Sequence, residues 1–405
     1  MSLLKRIAIS WLALALATAC ATEAAERPVE RVILFGIDGL AAAAPERIGM
    51  PTFLALVGEG TWMKKAFVAP PWHPTTGPWG NLHSTSYPNV VQLAGTLFIT
   101  PDTQFIQEAW LPRRPTRGAP AGITAHATNS TAYASLNRGF HHTYMQRGPD
   151  KDVVDWAVDL LRRTDVRFMR IHLQNTGEAG RVGSGDETKD VPWRHDIWAD
   201  GSPYRIAALE ADRQLARFVA ALKAIGKWEG TVLLVTSDHG QADQGWHAPL
   251  SEGAWSTPML WIGPHIATER VLDYGEHTDV AATIAYLLGV PQPNPGPGAG
   301  RVMTEVLKEG EPVSSPRRIE TLNRQMRDYL LLEAEMRTES ARTPSLDNTL
   351  MQLRHASLTE RQFYGLDRFL EWHEAGSIDA LIENNARVLD TMRDRLREIR
   401  QTGRD

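Results

Sequence analysis

The chain has 405 residues, 42% of them hydrophobic, enough for one large core and a second small unit. Its 43 basic and 48 acidic residues leave a net charge of -5, without the basic footprint of a duplex nucleic-acid binder, so no nucleic acid is expected as a partner. A lone cysteine excludes an internal disulfide and a cysteine-built metal cluster.

The N-terminus reads as a secretory signal over residues 1–25: Lys5 and Arg6, an apolar run from Ile7 to Leu16, then Ala17, Thr18 and Ala19 before Cys20. That run is too short to span a membrane. Cys20 stands where a lipoprotein would be lipidated, so a lipid anchor is one expectation and plain cleavage after Ala-Thr-Ala the other. Either way the protein is expected to be exported, to a periplasmic or envelope location.

Arg31 to Gly36 is a run of β-formers ending at Asp38-Gly39, the pattern of a buried strand with a polar residue at its C-terminal end. Val166 to Leu173 and Thr231 to Thr236 read as two more buried strands. Between them Ile206, Leu209, Phe218, Leu222 and Ile225 recur at helical spacing, and Gly226 is placed to end that helix. Strand, helix, strand implies a parallel crossover. Pro258 to Gly263 is a fourth strand, Val280 to Leu288 a helix, and the Pro/Gly-rich stretch Pro291 to Gly300 breaks the pattern. The expected fold is therefore α/β, a three-layer α/β/α sandwich around a mostly parallel sheet over residues 26–310. A helical appendage follows over 311–405, with helices near Arg317 to Arg342, Leu358 to Glu374 and Ser377 to Arg400. Those helices are expected to pack or self-associate, giving a homo-oligomer, and their charges read as solvated faces.

Chemistry concentrates in three segments. In GIDG (Gly36 to Gly39) a carboxylate follows a buried strand, and the next glycine lets the backbone turn closely around a cation; an ordinary Asp-Gly turn is the bland alternative. In VTSDHG (Val235 to Gly240) Asp238 and His239 leave a strand together, and both face one point only if the chain turns there, as Gly240 permits. Oxygen and imidazole donors without thiolate suit Zn2+ or a similar divalent ion. HPTTGPW (His73 to Trp79) is turn-rich and could hold a hydroxyl still, or be a plain loop. Open parallel sheets bind ligands beyond the carboxyl ends of their strands, where Asp38, Asp238 and His239 fall.

Together these segments resemble the alkaline phosphatase superfamily, especially its nucleotide pyrophosphatase/phosphodiesterase branch, over roughly residues 30 to 307. The resemblance implies an exported, metal-dependent phosphodiesterase or phosphatase acting on a small phosphate ester. It implies Thr76 as nucleophile, with Ser86 in reserve, and Asp38, Thr76, Asp238 and His239 as ligands of one metal. His247, spaced as in the phosphoethanolamine transferase and phosphoglycerate mutase branches, is a further candidate ligand, and Asn81, Arg181 and His195 are candidate substrate contacts. Where relatives carry Asp-x-x-Gly-His for a second metal, this chain has Asn175 to Arg181 (NTGEAGR), so Gly177 and Arg181 stand at the ligand places, with Glu178 a substitute carboxylate and Arg181 a substitute for the cation. A late histidine ligand is replaced within Gly298 to Arg301. In EHTD (Glu276 to Asp279), Thr278 or Asp279 is expected to cap the following helix and His277 to stand behind a ligand. The loops Trp193 to Asp196 and Asp200 to Arg205 are expected to cover the site. The alternatives are a phosphoethanolamine transferase, a sulfatase-like hydrolase, for which the Cys/Ser-x-Pro-x-Arg motif is missing, and a non-catalytic envelope protein retaining one cation.

Overall fold

The computed structural model describes residues 29–69, 76–85, 90–93, 96–99, 103–111, 122–185, 190–248, 250–311, 313, 316–341 and 366–402. The expectations placed on the signal segment, Cys20 and Ser86 fall outside these residues. Thr76 is described in its backbone alone.

The strands are β1 (Arg31–Ile37), β2 (Gly60–Phe67), β3 (Val90–Leu93), β4 (Thr96–Ile99), β5 (Ile123–Thr128), β6 (His142–Met145), β7 (Val166–Leu173), β8 (Thr231–Thr236), β9 (Ser256–Ile262), β10 (Arg270–Leu272) and β11 (Gly275–Glu276). Nine form one sheet in the order β10-β2-β9-β8-β1-β7-β5-β6, with β11 also on β2, while β3 and β4 make a separate hairpin. β1 lies at the centre, parallel to β7 on one side and β8 on the other. The expected crossover from β7 to β8 therefore passes over β1 instead of joining neighbours. β9 is antiparallel to both β8 and β2, which makes the sheet mixed on that side.

The period of two in β1 separates the layers. Ile33, Phe35 and Ile37 face one core with helices α1 (Pro51–Val57), α3 (Asp150–Arg163) and α5 (Pro203–Ala224). Val32 and Leu34 face the other with α2 (Thr76–Ser84) and α6 (Val280–Leu288). This is the three-layer sandwich that the sequence implies. The buried stripe of α5 differs in detail: Tyr204, Ala208, Ala211, Leu215, Phe218 and Leu222 point inward, whereas Ile206 is 56% exposed. Gly226 ends that helix at φ +70, a conformation that favours glycine.

Helix α4 (Asn175–Gly185) follows β7 directly, and the C-terminal part comprises α7 (Arg318–Ser340), α8 (Leu366–Ala375) and α9 (Ile378–Thr402). Before α6, neither Thr278 nor Asp279 makes the expected side-chain cap. A short 3-10 turn over His277–Asp279 leads into the helix, and the Asp279 carboxylate accepts the Arg301 N–H at 2.9 Å instead. No helix among the described residues is long and apolar enough to cross a membrane.

Candidate metal centre

Asp38 follows the end of β1, while Asp238 and His239 lie just past the end of β8, its neighbour. Parallel pairing thus brings two segments 200 residues apart to one point beyond the strand ends. One donor atom from each of the three buried side chains lies within 4.8 Å of the others, the one such group of three or more metal-ligating side chains among the described residues.

The surrounding hydrogen bonds determine which atoms remain available. Asp38 Oδ2 accepts the Nε2–H of His172 at 3.0 Å. Asp238 Oδ1 accepts the Gly39 N–H at 3.2 Å, while its Oδ2 is buried with no hydrogen-bond partner. His239 donates Nδ1–H to the Gly240 carbonyl at 2.9 Å, which directs Nε2 toward Asp238 Oδ2 at 3.5 Å and Asp38 Oδ1 at 3.9 Å. Each ligand is thus pinned through one atom and presents another to a common point.

The turn after β1 is built to hold this geometry. Gly39 has φ +66, and a methyl group there would come 2.6 Å from Gln241 Nε2 and 2.8 Å from the Gly177 Cα. Tyr204 Oη accepts the Ala41 N–H at 2.9 Å and donates to the Gly39 carbonyl at 3.0 Å. Ser237 Oγ accepts the Leu40 N–H at 2.9 Å and donates to the His239 carbonyl at 2.6 Å.

Two adjacent buried carboxylates are costly without a cation. Burial pushes both Asp38 and Asp238 up to about 6, and the Asp38 charge adds to the shift of Asp238. Burial also pushes His172 down to about 3, so it stays neutral and donates to Asp38. Burial opposes protonation of His239, but Asp238 and Asp38 together hold it above its ordinary value. Two carboxylate oxygens and an imidazole nitrogen, all buried and facing one point, fit a divalent cation.

The other sequence candidates lie around this group. Thr76 opens α2, whose Trp79 packs its ring against Gly36, where a methyl group would come within 2.1 Å, and against the His172 ring at 4.6 Å. His247 packs edge-on against His239 at 4.5 Å and is outside the group of three. Asn81 is fully buried on α2, its amide without a hydrogen-bond partner. His277 is buried against Thr257 Oγ1, 2.8 Å from its Nε2. Arg181 is half-exposed on α4 and paired with Glu178 one turn away. His195 is exposed at φ +57 on a loop that meets the stretch after His239 through the Ile197 N–H and the Asp243 carbonyl, 2.9 Å apart.

Sequence reasoning missed His172, Gln174, Tyr204, Ser237 and Gln241. A signal existed for the first: beyond Arg167 near its start, the strand is apolar except for Arg170 and His172 at alternate positions, which marks one polar buried face. The others are polar residues whose partners lie far along the chain, and a local pattern cannot reveal them.

A protein-family model described as Sulfatase matches residues 121–290, a span that includes Asp238 and His239 but neither Asp38 nor Thr76. A search of curated proteins finds no match. Among solved structures, BT4656 in complex with its substrate D-glucosamine-2-N,6-O-disulfate is similar at a TM-score of 0.55, with 16% identity over 72% of this chain and 82% of that one. The phosphonate monoester hydrolase of Silicibacter pomeroyi is similar at a TM-score of 0.54, with 16% identity over 71% of this chain and 78% of that one. BT1596, a 2-O GAG sulfatase, is similar at 0.54, with 15% identity over 72% and 76%. At these identities the likeness is one of fold.

Proposed function

This chain carries the fold of the alkaline phosphatase superfamily, and from that premise we propose that it is an exported, metal-dependent phosphoric ester hydrolase with Thr76 as nucleophile. The observation that carries this reading is the convergence of Asp38, Asp238 and His239, each with one donor atom pinned and another facing a shared point. Zn2+ is the ion proposed for that donor set.

A divalent cation held by these three residues and Thr76 would supply Lewis acidity, easing deprotonation of the hydroxyl and offsetting phosphoryl charge. In the first step the Thr76 oxygen attacks phosphorus, and the bond from phosphorus to the ester alcohol breaks. Water then cleaves the threonine phosphate ester and restores the hydroxyl. Asp38 keeps its orientation through the His172 hydrogen bond, and Asp238 through Gly39. Asn81 is the substrate contact with the most support, because its buried amide lacks a protein partner and lies on the helix that Thr76 opens. His247 packs edge-on against the His239 ring and helps to hold it in place.

The test is metal analysis of the purified protein, with hydrolysis of p-nitrophenyl phosphate, bis-p-nitrophenyl phosphate and p-nitrophenyl sulfate. Thr76→Ala and Asp238→Asn should each lower phosphoester turnover by at least roughly 10²-fold. Turnover unaffected by Thr76→Ala would exclude the nucleophile. Preference for the sulfate would favour a sulfatase, and bound metal without any turnover would favour a binding protein.

A further inference from the structure

Trp246 stands out from the other tryptophans by its backbone and its position. Its φ is +63, which a bulky side chain rarely adopts, and the residue is 39% exposed. Two hydrogen bonds hold this conformation: Ala242 N–H donates to the Trp246 carbonyl at 2.7 Å, and Gly245 N–H donates to the Ala242 carbonyl at 2.8 Å. The indole stacks on the His247 ring at 4.0 Å and 30°, and His247 meets the His239 ring at 4.5 Å. Three rings in contact therefore run from His239 through His247 to the partly exposed Trp246. An unfavourable backbone conformation locked by its own hydrogen bonds, on a residue one ring removed from the candidate ligand His239, is the kind of outlier from which a role can be inferred.

A second tryptophan beside this turn is engaged differently. Trp198 is engaged by the Arg47 guanidinium over its ring at 4.1 Å and donates Nε1–H to Asp243 Oδ1 at 2.7 Å, so it ties loops together. Trp246 has one face on His247 and exposed surface beyond it.

We infer that Trp246 is a specificity-determining residue on which the ester's alcohol portion stacks, so that the substrate class is a phosphoric ester whose alcohol carries a planar ring. Aromatic faces attract flat rings by offset stacking, and the favourable term is lost when the indole is removed. This rests on the hydrolase reading, in which phosphorus would meet the cation held by His239.

The experiment compares methylphosphonate with benzylphosphonate and 2-phenylethylphosphonate as competitive inhibitors of p-nitrophenyl ester hydrolysis, with direct binding measured by calorimetry on the metal-loaded protein. The wild type should bind a ring-bearing phosphonate about ten-fold more tightly than methylphosphonate. Trp246→Ala should erase that ratio, and Trp246→Phe should retain most of it. Trp246→Gly relieves the positive φ, so it should be at least as stable as the wild type while also losing the ratio, which separates stacking from folding. A wild type that does not distinguish the ligands, or a ratio unchanged in Trp246→Ala, overturns the inference while the hydrolase reading stands. A wild type that neither hydrolyses the esters nor binds any phosphonate overturns both.

Discussion

A hydrogen is the largest side chain that Gly177 can carry beside the metal centre. A methyl group there would come 1.9 Å from Asp38 Oδ1 and 2.9 Å from its Cγ, so α4 presses its backbone directly onto a ligand. Gly180, one turn on, accommodates the Gln241 amide in the same way, 2.6 Å from where a methyl would stand. Asp38, Asp238 and His239 are the one group of three metal-ligating side chains among the described residues, and Arg181 is paired to Glu178 at the surface, so metal analysis is expected to find one ion per chain. Gly177→Ala should displace Asp38 and weaken Zn2+ binding by at least roughly ten-fold in a titration, with the fold retained. Affinity equal to that of the wild type would mean that Asp38 does not bear on the ion.

The strand ends and helix starts around the centre are joined by side-chain clamps. Asn129, after β5, donates Nδ2–H to Asp150 Oδ1 at 2.8 Å and accepts the Gln174 N–H on Oδ1 at 2.8 Å. Asp150 is the first residue of α3, so this clamp ties the end of β5, the start of α3 and the segment after β7 together. Burial pushes the Asp150 carboxyl up to about 6 from its ordinary 3.8. In that window the folded protein holds a proton that the unfolded chain has released, so the contribution of this group is fully present below 3.8 and is lost as pH rises through about 6. Relative to Asp150→Asn, the wild type should therefore lose stability between about pH 4 and about pH 7 in denaturant unfolding under chelation. A pH-independent difference between the two proteins would contradict the burial of an ionisable group there.

The C-terminal helices share a hydrophobic cluster with the sandwich. Phe67, Val68 and Trp255 pack with Ile319 and Leu322 of α7, Trp372 of α8 and Leu381 of α9. Asn323 Nδ2 donates to the Val68 carbonyl at 2.7 Å, and the Gly298 N–H donates to the His373 carbonyl at 2.9 Å. Gly298 is required by this approach, since a methyl there would come 2.0 Å from the Trp372 carbonyl oxygen. Trp372→Ala should cost about 3 kcal/mol and leave a single unfolding transition, because the helices and the sheet share that cluster. Two separate transitions would show that the tail unfolds independently.

The sequence by itself determined the central strands β1, β7 and β8, helices α5 and α6, and the segments that carry Asp38, Asp238 and His239. Buried parallel strands are uniform apolar runs, and a charged residue at the end of one is conspicuous. It left β2 unassigned, where Lys64 and Lys65 interrupt the apolar pattern at a register shift between Met63 and Ala66. Tertiary structure alone decided that β1 separates β7 from β8, that His172 orients Asp38, and that Gly177 fills the space beside it. Those facts depend on pairings between segments more than a hundred residues apart, and local periodicity records which face a residue takes but not which distant residue meets it there.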